Sequence, residues 1–149
     1  MGLSSVVSAV KTAVTLASGF SALGRDANVS INDYKVLTIG SSRAAVIFHN
    51  GCDLATGSPM ARSGIYITEH TILIRMYHKY KYDSTTYLAQ LADTDSVITA
   101  LHTDDTLGGV ALDSRVTSVS TVEIAEMGDG QAFFLNQDIT FVVDEELSH

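Results

Sequence analysis

At 149 residues, with 46% apolar and 17% charged, the chain has the composition of one folded domain and is not a disordered polypeptide. Its net charge of −8 and pI near 4.8 exclude a protein that grips phosphates through massed Lys and Arg. A single cysteine, Cys52, excludes an internal disulfide and points to a reducing compartment. Low charge density with a mean hydropathy of +0.20 further suggests apolar surface covered by partner subunits.

The chain opens MGLSSVVSAVKTAVTLASGF. It has no basic n-region, and Lys11 interrupts the apolar stretch, so neither a secretory signal nor a membrane span is expected and the chain reads as cytosolic. Residues 4–23 form the first predicted helix, with Val6, Val7, Val10, Val14 and Ala17 on one face and Ser4 or Ser5 as N-cap. Its many β-branched residues require packing to hold it. Residues 24–43 are a polar connection with a short strand at 35–39. AAVIFH, residues 44–49, is a buried-type strand.

Residues 50–63 (NGCDLATGSPMARS) form a loop carrying the only proline, Pro59. It is longer than a hairpin turn requires. Residues 64–80 form a strand that outruns the usual length, or two strands joined by a bulge. Asp83 or Ser84 caps a second helix running to about Leu101, whose apolar face is Tyr87, Leu88, Leu91, Val97, Ile98 and Leu101. Gly108-Gly109 breaks it. Residues 115–127 and 131–143 are the arms of a hairpin turned at Asp129-Gly130, a type I′ signal. In the last arm Phe133, Leu135, Ile139, Phe141 and Val143 share one face, with Gln137 the exception, and Asn136, Asp138 and Thr140 share the other. The acidic tail, 144–149, reads as mobile. The predicted architecture is a single α+β domain spanning 1–149, an antiparallel sheet with helices packed on one face in the order α-β-β-α-β-β.

No phosphate-binding or nucleophile motif occurs: Gly108-Gly109 alone is a turn. The five histidines, His49, His70, His78, His102 and His149, form no HxxxH or HExxH pair. His102 with Asp104 and Asp105 is the best local metal cluster, but Asp at a helix end more often makes a turn. The acidic pairs Asp93/Asp95, Asp104/Asp105 and Glu145/Glu146 read as solvated surface. No catalytic, cofactor-binding or metal residues are therefore expected. Tyr66, Tyr77, Tyr80, Tyr82 and Tyr87 cluster with Arg75, Lys79 and Lys81. Such a window suits a half-exposed strand or a subunit interface. The net charge argues against a nucleic-acid stacking platform.

Three stretches carry a family resemblance: the N-terminal helix SSVVSAVKTAVTLASGF, the aromatic strand exit and helix MYHKYKYDSTTYLAQLADTDSVITALHTDDTLGG, and the hairpin RVTSVSTVEIAEMGDGQAFFLNQDITFVV. Together they resemble the tail-terminator, or tail-completion, proteins of long-tailed bacteriophages. The passage VITALHTDDTLGGVALDSRVT, residues 97–117, resembles the mid-chain segment of that family, in which a helix ends in a Leu…Asp-x-x-Leu-Gly-Gly passage before two closing strands. The resemblance implies a non-enzymatic virion protein, assembled in the host cytoplasm. It would form a homo-oligomeric, six-membered ring that caps the head-proximal end of the tail tube. The tube protein and a head-connector or neck protein are the implied partners, with DNA passing unbound through the lumen. A neck ring is the alternative within the same class, and a small ligand-binding or enzymatic domain the alternative outside it. Asp53, Leu54, Met60 and Arg62 of the long loop, with Tyr66, Arg75, Tyr77 and Tyr80 of the long strand, are the candidate subunit or partner contacts.

Overall fold

A computed structural model describes residues 3–16, 27–31, 43–54, 65–79, 83–127 and 132–148. Two helices and six strands lie there, in the order α1 (Leu3–Thr15), β1 (Ala27–Ile31), β2 (Arg43–Leu54), β3 (Ile65–Lys79), α2 (Ser84–Leu101), β4 (Asp113–Val119), β5 (Glu123–Met127) and β6 (Ala132–Ser148). The strands form one sheet ordered β1-β2-β3-β6-β4, with β5 also paired to β6. Every pairing is antiparallel except β1 on β2. The fold is a small α+β domain. Among the described residues the element order is α-β-β-β-α-β-β-β, two strands more than the predicted order.

The additions have local causes. β1 is a five-residue parallel strand inside the connection read as polar, and the strand predicted at 35–39 lies outside the described residues. The first arm of the predicted hairpin is split into β4 and β5. Both pair along the same side of β6, β4 with residues 139–144 and β5 with residues 132–136. Between them Ser120 bonds Asp138 twice, through its amide to the carbonyl and through its hydroxyl to the amide. The Asp129-Gly130 turn lies outside the described residues.

β6 does not stop at Val143. It runs to Ser148, and residues 144–148 stay in register with residues 65–69 of β3. Strand alternation explains why the acidic stretch is ordered rather than a loose tail. Glu145 turns inward, where His70 meets it, and Asp144 turns outward, where Arg115 holds it at 3.0 Å.

One apolar cluster joins the helices to the sheet. Val6, Val7, Val10 and Val14 of α1 and Val97 and Leu101 of α2 pack with Ala45, Ile47, Ile72, Ile74, Met76, Ile139, Phe141 and Val143. Of the predicted face of α1, Val6, Val7, Val10 and Val14 are buried, and Ala17 lies outside the described residues. The predicted face of α2 is correct only toward its C-terminal end, at Val97 and Leu101. Over residues 84–94 Thr86, Gln90, Asp93 and Thr94 are buried, while Tyr87 and Leu88 are 45% and 61% exposed. Polar partners under this stretch decide the rotation. Gln90 donates to the Met76 carbonyl, Thr94 donates to Gln137, and Asp93 pairs with Arg43 at 3.0 Å. The same contacts explain Gln137, the polar exception on β6: it accepts from Thr94 and donates to the Ser120 carbonyl.

Asp83 caps α2 in extended geometry, accepting from the Thr86 amide at 2.8 Å and the Thr86 hydroxyl at 2.7 Å. Replacing it with Ala is expected to lower stability by about 1 kcal/mol. A urea midpoint unchanged from wild type would show that the cap contributes nothing.

Candidate functional site

A sheet has two lateral edges, and each offers unpaired backbone groups to a neighbour. Among the described strands those edges are β1 on one side and β4 with β5 on the other. Both carry large exposed apolar side chains: Ile31 on β1 at 40%, Val119 on β4 at 40% and Ile124 on β5 at 59%. The residues differ between the two edges, so the edges are not copies of one patch. Tyr87 and Leu88 add an exposed apolar strip on α2. A groove of about 490 Å³ lies between α1 and the end of α2, lined by Ala9, Ala13, Leu16, Ala100, Leu107 and Val110 among others.

The candidate contacts predicted from sequence fare unevenly. Met60, Arg62 and Tyr80 lie outside the described residues. Leu54 ends β2 and Tyr66 sits near the start of β3. Asp53 is exposed, opposite Glu69 in the β2–β3 ladder. Tyr77 is 4% exposed and packs with Ala44, Val46 and Phe134 in a second apolar cluster, so its ring is taken by the chain's own core. Arg75 lies beside it, forked onto Asp138 (2.7 and 3.2 Å) with its guanidinium 5.8 Å from the centre of the Phe48 ring. The bond to Asp138 raises the Arg75 pKa above its ordinary value.

The turn after α2 uses its acidic residue for structure. Asp104 accepts from the Thr106 hydroxyl (2.7 Å), the Thr106 amide (3.0 Å) and the Gly108 amide (2.8 Å). The Thr106 hydroxyl, then the two amides, hold its carboxyl below the ordinary range. Leu107 adopts φ 49°, a strained value for a side chain, while its body is buried in the core. Gly108 and Gly109 follow at φ 71° and 94°, where glycine carries no such strain. This is why the Leu-Gly-Gly passage holds two glycines. Cys52 is exposed, not the small buried hydrophobe its type suggests.

Sequence reading missed one cluster entirely. His49 Nε2 lies 3.0 Å from His70 Nδ1, and His70 Nε2 lies 3.2 Å from Glu145 Oε1. The two rings meet edge to face with centres 5.2 Å apart. His70 is 2% exposed and Glu145 is fully buried, while His49 is half-buried and its Nδ1 accepts from the Gly51 amide at 3.2 Å. Burial, then the neighbouring His70, lowers the His49 pKa from its ordinary value. His49 lies opposite Ile72 in the β2–β3 ladder, which sets it diagonal to His70 on the same face, and a register shift of β2 against β3 follows between His49 and Cys52. Among the described residues, no group of three or more His, Cys, Asp or Glu side chains is placed to hold a metal ion. No helix there is long and apolar enough to cross a membrane. Comparison with known proteins finds no matching family model and no matching curated sequence.

Proposed function

We propose that this chain is a virion structural protein that forms a ring on the head-proximal end of a phage tail tube. There it stops tube polymerisation and joins the tail to the head connector. The observation that carries this reading is the presence of two dissimilar apolar edges on opposite sides of one sheet. A contact between unlike patches is heterologous, and heterologous contacts close into rings when the rotation allows. The likeness of residues 97–117 to tail-terminator proteins supplies the identity of the ring, and that family's six-membered rings supply its expected size.

The remaining features agree with a structural role. In this reading the helices form a layer on one sheet face and leave the edges to neighbouring subunits. A wall with a net charge of −8 repels passing DNA instead of binding it. The exposed strip of Tyr87 and Leu88 suits contact with the tube or connector protein. No catalytic role is assigned to the chain.

Negative-stain microscopy of the purified protein, alone and mixed with its tail-tube subunit and its connector protein, tests the proposal. Closed rings that cap tubes at one end are the expected result. Rings that bind the connector and ignore the tube would reassign the chain to the neck. A single small species indifferent to both partners would refute the ring reading.

A further inference from the structure

The histidine cluster has only one self-consistent arrangement of hydrogens. A backbone N–H can only donate, so the Gly51 amide fixes His49 Nδ1 as an acceptor with no hydrogen of its own. Neutral His49 then carries its hydrogen on Nε2 and donates it to His70 Nδ1. His70 carries its hydrogen on Nε2 and donates it to Glu145 Oε1. The polarity of three hydrogen bonds across β2, β3 and β6 is thus set by one amide at the bulge.

An added proton cannot be accommodated without reversing that polarity. Solvent reaches the cluster at the half-buried His49, so the proton loads onto Nδ1 there. The Nε2 hydrogen of His49 can pass to His70 Nδ1, leaving an imidazolium beside Glu145. A further shift of the His70 Nε2 hydrogen neutralises the carboxylate. In each case His49 Nδ1 ends with a hydrogen that faces the Gly51 N–H, and two donors cannot bond each other.

We infer that the His49–His70–Glu145 chain is a proton-operated latch on the β2 bulge, holding the Gly51 amide when both rings are neutral and releasing it on uptake of one proton. What the latch controls is the register shift itself. Gly51 sits at φ 97° inside the bulge, and residues 52–54 pair with β3 only beyond it.

The charged groups of the neighbouring strands and helices lie in ion pairs or at the surface. Glu69, Asp113 and Asp144 surround Arg115 on the opposite sheet face, at 3.4, 3.8 and 3.0 Å. From the helices, Asp93 pairs with Arg43, while Lys11, Asp83 and Asp95 are exposed. Asp53 and Cys52, just past the bulge, are exposed as well. A histidine whose folded pKa is lowered favours the unfolded state once protons bind, so the stabilisation is complete above its ordinary 6.5 and fades as pH falls below it.

Proton-detected nitrogen NMR of the full chain tests the latch. At about pH 8 both His49 and His70 are expected as Nε2–H tautomers. On acidification to about pH 5 the Gly51 amide signal should move in step with the His49 ring. Its protection from solvent exchange, corrected for the intrinsic rate, should fall about tenfold, the scale of one lost hydrogen bond. In His49→Gln the side-chain oxygen can still accept from Gly51 but does not titrate, so the response should vanish. An Nδ1–H tautomer on either ring at the higher pH would overturn the inference. So would a Gly51 amide that stays fixed while His49 titrates, or a response that survives in the Gln variant.

Discussion

Phe141→Ala is expected to lower the unfolding free energy by about 3–5 kcal/mol. Phe141 is fully buried in β6, opposite Ile72 of β3 and Val116 of β4, and belongs to the cluster that both helices cover. Truncation removes a whole ring from a point where three strands meet. Neighbours held by ladders on both sides have little freedom to collapse into the space. Domains of this size are stable by only about 5–15 kcal/mol, so the variant should sit near the limit of folding. Chemical denaturation of the two proteins checks this directly. Ile124→Ala, at an exposed edge position, serves as the control and should change stability by no more than about 0.5 kcal/mol. A Phe141 variant as stable as that control would mean that the core is not organised around β6.

The second large effect concerns assembly. Ile31→Lys and Ile124→Lys each place a charge on one edge of the sheet, the device natural edge strands use to refuse a neighbour. If the chain forms the ring proposed above, either change alone should abolish it, because a closed heterologous ring uses both edges of every subunit. Mixing the two variants is the more incisive experiment. The Ile31 variant keeps an intact β4–β5 edge, and the Ile124 variant keeps an intact β1 edge. The mixture should therefore form dimers and stop there. Sedimentation of each variant and of the mixture reads the outcome. Rings formed by either single variant would remove the sheet edges from the interface. Failure of the mixture to pair would show that the two edges do not meet each other.

Periodicity in the sequence exposed the elements that pack by one rule. β6 alternates cleanly, and Ile139, Phe141 and Val143 are the core residues its pattern marks. Val6, Val10 and Val14 gave the face of α1, and Asp83 marked the start of α2. Where the surroundings set the outcome, pattern alone misled. Tyr87 and Leu88 look like core by spacing, but the sheet beneath them offers a carbonyl, an amide and a guanidinium, and these draw in Gln90, Thr94 and Asp93 instead. β1, a five-residue strand containing Asn and Ser, carries too weak an alternation to stand out from its connection. Edge exposure was equally hidden, since it depends on strand order and not on the composition of any strand. The histidine chain was the least legible feature. Its members are separated by 21 and 75 positions, and only the β2–β3 and β3–β6 registers bring them together.

The position of β6 between β3 and the β4–β5 pair also governs the order in which the chain can fold. Every other described strand is synthesised before it, yet β3 cannot be joined to β4 or β5 until it arrives. A nascent chain that has reached residue 131 can pair β2 with β3 and coil both helices, but β4 and β5 have no ladder to enter. Closing the sheet then requires contacts between residues far apart in sequence, which places this domain among slowly folding topologies. Until β6 docks, the inner edges of β3, β4 and β5 stay open to one another and to other chains, so the interval before docking is when aggregation competes with folding.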